Sequence, residues 1–246
     1  MRPVDRKNAG NVVVDVNGAN YTIVADYDPY QKAKLVLVAN LGQLCSYCEA
    51  LYSYPRDLQV EHIQPKGLAK YAHLETKWTN LLLSCATCNG KDNKDTKDVV
   101  LGEVHLPHLN NTFKSLVYMG GGVVMVNPAL AGDSATHAEA LWKLVGLDKT
   151  PKTSSPGDTR WQKRMIDWEL ATHYLQQYLN GGISVDAILE LVKSRGGWSI
   201  WFTVFKDQDA VLARLISDFP GTCAACFDAN NHYVPVDRNP GNVDPV

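Results

Sequence analysis

The sequence has no long hydrophobic run. Its strongest apolar stretches, Leu35 to Ala39 and Trp198 to Phe205, fall well short of the ~18–20 residues a helix needs to cross a membrane. The opening MRPVDRKNAGN lacks the apolar core of a secretory signal, so a cytoplasmic protein is expected. Neither sign of charge is in surplus: the formal net charge is -2 and the pI is about 6.4. That excludes a protein that announces nucleic-acid binding through its global charge. Any polyanion contact must come from a local patch or from a partner chain. Repeats and low-complexity tracts are absent. Gly120-Gly121-Gly122 lacks the spacing of a phosphate loop and reads as a turn.

Apolar residues make up 45% of the 246, which excludes disorder of the whole chain and allows a sizeable core. Alternation and turn residues predict a short hairpin or two extended pieces between Asn11 and Ala25, and strands at Leu58 to Ile63, Leu81 to Ser84 and Val123 to Val126. Helical spacing predicts Gln31 to Leu41, stopped by Gly42, and a helix from about Ala86 that Gly90 weakens. The C-terminal half reads as helical: Ala135 to Val145, Asp158 to about Asn180, Ser184 to Ser194 and Gln208 to Asp218. Its aromatics Trp161, Trp168, Tyr174 and Tyr178 read as core rather than as a base-stacking platform.

Six cysteines remain to be placed. Cys45 and Cys48 form one C-x-x-C pair, and Cys85 and Cys88 form a second after a gap of 36 residues. Two such knuckles can supply four thiolates to a zinc tetrahedron. A redox dithiol is the rival reading, but it needs one pair in a βαβ setting. Cys223 and Cys226 have no second knuckle and read as small buried thiols, with a metal role beside His232 as the alternative.

Between and beside the knuckles stand Glu61, His62, Asn80 and Asn89. Singly, each has an ordinary structural explanation. Together they suggest hydrolysis of a phosphodiester. Histidine supplies a general base of near-neutral pKa, and carboxylate and amide oxygens such as those of Glu61 and Asn89 suit magnesium or manganese. Adjacent strand residues point to opposite faces, so Glu61 and His62 can share a site only at a strand end or a distortion. Lys66, Lys91 and Lys94 belong to a lysine cluster in this region. Glu61, Glu75, Asp92, Asp95 and Asp98 offset much of its charge.

The run C-x-x-C, Glu-His-x-x-Pro-Lys, Asn-Leu and C-x-x-C-Asn resembles the HNH endonuclease family. The resemblance implies an α+β chain with a ββα-metal core over 42–98, pinned by structural Zn2+ on Cys45, Cys48, Cys85 and Cys88. An extension over 1–41 would pack on that core, and a mixed, then mainly helical, region over 99–246 would follow it. By the same resemblance His62 would activate water and Asn80 would orient it through the loop. Glu61 and Asn89 would hold catalytic Mg2+ or Mn2+. Asn89 stands where many members have histidine. Many members also carry Lys or Arg three residues further on. In this chain that position is Asp92, so Lys66, Lys91 and Lys94 are the candidate phosphate contacts. The opening MRPV, the Leu41-Gly42-x-x-Cys45-Ser46-Tyr47-Cys48-Glu49 run and the Glu-His-x-x-Pro-Lys spacing resemble the HNH subunits of Septu-type anti-phage and related retron systems. Those subunits work with a partner ATPase. The expected substrate is DNA, with RNA second. A zinc-pinned binding module without cleavage is the alternative.

Overall fold

The computed structural model describes residues 1–246 and shows a mixed helix-and-strand architecture. Val12–Val14 (β1) and Asn20–Thr22 (β2) form the predicted hairpin. Ala33–Leu41 (α1) buries Val36, Leu37 and Leu41 and ends where Gly42 takes a φ of 79°, a conformation that strains any side chain.

Gln59–His62 (β3) pairs antiparallel with Leu81–Ser84 (β4), with Glu61 opposite Leu82 and His62 opposite Leu81. Leu81, Leu82 and Leu83 are all fully buried, each contributing about 1.5–3 kcal/mol of burial free energy. This strand is therefore the floor of the region between the knuckles. Ala86–Asn89 (α2) follows and packs against β3. It is one turn only, shorter than the sequence pattern predicts. Gly90 is extended, and the helix stops there. Its start is capped by the Cys85 sulfur, which accepts from the Cys88 amide at 3.3 Å.

Thr112–Ser115 (α3) leads into a second hairpin, Leu116–Met119 (β5) and Val123–Val126 (β6). Only the second of these strands was legible in the sequence. The glycine triplet is its turn. At Gly122 the φ is 75° and a Cβ would lie 2.1 Å from the Trp161 carbonyl, so nothing larger fits.

Gly132–Leu144 (α4), Arg160–Leu179 (α5), Val185–Arg195 (α6), Trp198–Val204 (α7) and Asp209–Asp218 (α8) make the helical half, closed by the short strands Phe227–Asp228 (β7) and Val234–Pro235 (β8). The helix α7 was visible only as an apolar run. It is buried from Trp198 to Phe202 and so carries no amphipathic period. Tyr174 stacks near Trp201 and Tyr178 meets Phe205 edge-on, while Trp168 also packs against the core and Trp161 is half-buried. Residues from 1–41, 42–98 and 99–246 all enter one contiguous apolar cluster.

Candidate functional site

Cys45 and Cys48 lie on the loop after α1, and Cys85 and Cys88 at the start of α2. Their four sulfurs lie within 4.8 Å of one another. Cys48 and Cys85 are 3.7 Å apart, close to the ~3.8 Å edge of a sulfur tetrahedron with zinc bonds of about 2.3 Å. Donor set and spacing fit a closed zinc site with no position left for water. The convergence of two pairs also removes the basis for a lone redox dithiol.

Sequence reasoning missed the group that supports these sulfurs. The Arg160 guanidinium donates to the Cys88 sulfur at 3.0 Å. Asp158 and the carbonyls of Val145 and Gly146 hold it in place. Arg160 is 72 positions from Cys88, and no local pattern links them. Arg160→Ala is expected to weaken zinc binding about 10–100-fold, as loss of an outer partner does at other metal sites. Chelator competition measures it, and unchanged affinity would reduce Arg160 to a tie at the start of α5.

His62 closes β3. Its Nε2 lies 2.9 Å from the carbonyl oxygen of Glu75. A carbonyl only accepts, so Nε2 carries the proton and Nδ1 of the neutral ring is the basic nitrogen. The loop that brings Glu75 there is tied by Asn80. Its Oδ1 accepts from the Gln64 amide at 2.8 Å, and its Nδ2 donates to the carbonyls of Gln64 and Leu74. Tyr30 meets the imidazole edge-on, with ring centroids 4.6 Å apart. Burial pushes the His62 pKa down, the Glu75 carbonyl opposes that shift, and the Lys66 ammonium adds to it. The ring is therefore held neutral at physiological pH, the form a base requires.

Glu61 departs from the expected arrangement. Regular pairing of β3 sends it to the face opposite His62, and no distortion brings the two together. Its carboxylate is fully buried, 2.5 Å from the Lys94 ammonium, which also donates to the His62 carbonyl at 2.7 Å. Burial raises the Glu61 pKa, against the pull of the Lys94 ammonium. Asn89 turns its amide to Gln59 at 2.9 Å. A magnesium-type ion keeps several waters. A carboxylate shut off from solvent and already neutralised does not fit such an ion, so the expected Glu61–Asn89 pair is not assembled around one.

The three lysines also separate. Lys66 stands beside His62, its ammonium 4.4 Å from the Tyr30 ring centre and 2.5 Å from a Glu75 carboxylate oxygen. Lys91 is exposed and lines a shallow groove with Thr87 and Ser155. Lys94 is not a surface phosphate contact, because its ammonium is spent inside the protein on Glu61. Lys94→Ala is expected to destabilise the fold by about 3–5 kcal/mol, since it strands a buried carboxylate. The double change Glu61→Leu with Lys94→Met is expected to recover most of that loss in urea unfolding. Equal loss from single and double variants would show that packing, not charge pairing, sets the cost.

The remaining thiols, Cys223 and Cys226, are buried, and His232 is turned away to Asp209 at 2.8 Å.

Residues 43–95 match the model of the HNH endonuclease family, which identifies this segment as an HNH endonuclease domain. A stretch of 71 residues is 42% identical to the Septu protein PtuB of Bacillus thuringiensis. That match takes in 28% of this chain and 25% of the relative, so the similarity spans about a quarter of the relative's length.

Proposed function

We propose that this chain, through the HNH domain at 43–95, hydrolyses phosphodiester bonds as the nuclease of an anti-phage defence system. One observation carries the reading. His62 presents a neutral imidazole whose Nε2 is fixed on the Glu75 carbonyl, which makes Nδ1 the base. In the proposed reaction Nδ1 takes a proton from water, the water oxygen bonds to phosphorus in line, and the P–O3′ bond breaks, the departing 3′ oxygen taking a proton from solvent. Lys66, beside the ring, meets the phosphate, and Asn80 keeps the loop in register. Lys91 lies on a different groove and serves an extended strand at most.

The family resemblance implies magnesium or manganese on Glu61 and Asn89. Lys94 would have to leave Glu61 first, so the proposed chemistry rests on His62, Asn80 and Lys66 alone. Zinc on Cys45, Cys48, Cys85 and Cys88 acts as a structural pin. DNA is the first substrate and RNA the second. A partner ATPase governs the activity and supplies nucleic-acid affinity, consistent with a chain that is nearly neutral overall. The alternative, a zinc-pinned binding module without cleavage, is favoured by one observation, the neutralised carboxylate of Glu61.

The test is cleavage of DNA and of RNA with Mg2+, Mn2+ or chelator, with and without a co-encoded ATPase. Cleavage that disappears in His62→Ala supports the nuclease, and its loss in chelator would add a divalent ion to these residues. Binding without cleavage under every condition supports the module instead. Glu61→Gln with an unaltered metal titration would remove Glu61 from the metal-binding role.

A further inference from the structure

A second cluster of ligating side chains lies outside the HNH domain. His105 precedes α3, His137 is on α4, and Asp244 comes from the segment after β8. The Oδ2 of Asp244 is 2.7 Å from His105 Nε2 and 2.8 Å from His137 Nδ1. The three ligand atoms lie within 4.8 Å of one another. Positions 105, 137 and 244 are far apart in the chain, and no spacing motif marks them.

We propose that His105, His137 and Asp244 form a second zinc site, which staples the 244 segment and α4 to the chain ahead of α3. Two imidazoles and a carboxylate are a donor set that zinc accepts, with a fourth position left for water. A tetrahedral zinc with bonds of about 2.0–2.2 Å sets ligand atoms ~3.3–3.5 Å apart. The observed 2.7 and 2.8 Å lie about half an ångström short of that, a distance that a small retreat of Asp244 covers. His105 is oriented in the manner of a metal ligand, because its far nitrogen, Nδ1, is held by Ser115 Oγ at 2.8 Å.

A plain hydrogen-bond staple accounts for less. Two rings donating to Oδ2 satisfy that oxygen. They leave Oδ1 of Asp244 buried without a well-formed hydrogen bond, its neighbouring donor being the Ser134 hydroxyl. A buried carboxylate oxygen so weakly satisfied leaves room for a stronger partner, which a cation on this face would be. His105 is 1% exposed, while the side chains of His137 and Asp244 are 15% and 18% exposed. The cluster is therefore shielded on one side and open to a water ligand on the other.

The test is zinc content of the full chain after equilibration with Zn2+ and gel filtration. The wild type is expected to hold two zinc ions, one on the four cysteines and one on this cluster. His137→Ala and Asp244→Asn are each expected to hold one, whereas His62→Ala keeps two. That last arm separates this site from adventitious zinc at the HNH histidine. Added Zn2+ is also expected to raise the melting temperature of a wild type loaded only at the cysteines. X-ray absorption of the wild type covers the case in which a variant fails to fold. Its zinc is expected to show nitrogen and oxygen neighbours beside sulfur. Sulfur-only coordination, or equal zinc in the wild type and His137→Ala, overturns the proposal.

Discussion

His62→Ala is expected to lower the rate of phosphodiester cleavage by about 10²–10⁴-fold, the usual contribution of a positioned general base. The zinc content should not change, because the imidazole touches Tyr30 and the Glu75 carbonyl but no cysteine. Loss of the edge-on contact with Tyr30 costs about 0.5–1.5 kcal/mol, well short of unfolding. Activity and fold are thus separable in this variant. Asn80→Ala provides the complementary measurement. It removes the three hydrogen bonds that tie the loop to Gln64 and Leu74, so the Glu75 carbonyl loses its place and the ring its orientation. The expected signature is a fall in kcat with KM little changed, since no substrate contact is lost. Cleavage by His62→Ala at the wild-type rate would remove the histidine from the chemistry and leave the binding module standing.

The residue kinds at this site were legible in the sequence, but their directions were legible only in part. The cysteine spacing and the two flanking strands follow from local pattern, because a thiol close to another thiol and an alternating apolar run are short-range signals. Strand alternation already warned that Glu61 and His62 point apart, and the regular pairing of β3 with β4 realises that separation. The fate of Lys94 could not be read in this way. Among six neighbouring lysines its burial depends on the one-turn length of α2 and on a carboxylate 33 positions earlier, which is tertiary information. Arg160 behind Cys88 and the His105–His137–Asp244 cluster are of the same kind, since each joins segments 70 or more positions apart or spans several elements. The helix α7 was obscured for a different reason. Burial on all sides erases the 3.6-residue period that marks surface helices, leaving an apolar run that a strand or helix could equally use.

Loss of the four-cysteine centre is expected to cost more stability than loss of the Glu61–Lys94 pair or of the His62–Tyr30 contact. Structural zinc binds with apparent free energies of about 10–16 kcal/mol at neutral pH in small zinc domains, and that energy becomes folding energy when the site exists only in the folded chain. In this protein the dependence is concentrated in elements too short to stand alone. The helix α2 has four residues, and isolated helices need about 12–15 to persist in water. The first knuckle meets β4 through the Ser46 amide on the Leu83 carbonyl at 2.9 Å, and the second knuckle begins where β4 ends. Zinc there would therefore clamp the Ser84 end of the strand pair, whose opposite end presents His62. Cys85→Ala isolates this centre better than a chelator, which would also strip the His105–His137–Asp244 site. It is expected to lose one zinc, to lower the melting temperature sharply, and to lose amide-exchange protection first at 45–51 and 85–94. Thiolates must be deprotonated to bind, so the clamp's stabilisation is present at high pH and is lost as pH falls. Wild-type zinc should accordingly be stripped more readily at pH 6 than at pH 8. A melting curve for Cys85→Ala that overlays the wild type would show that the apolar floor of Leu81, Leu82 and Leu83 holds the strands without the metal, and the nuclease reading would then have to stand without its pin.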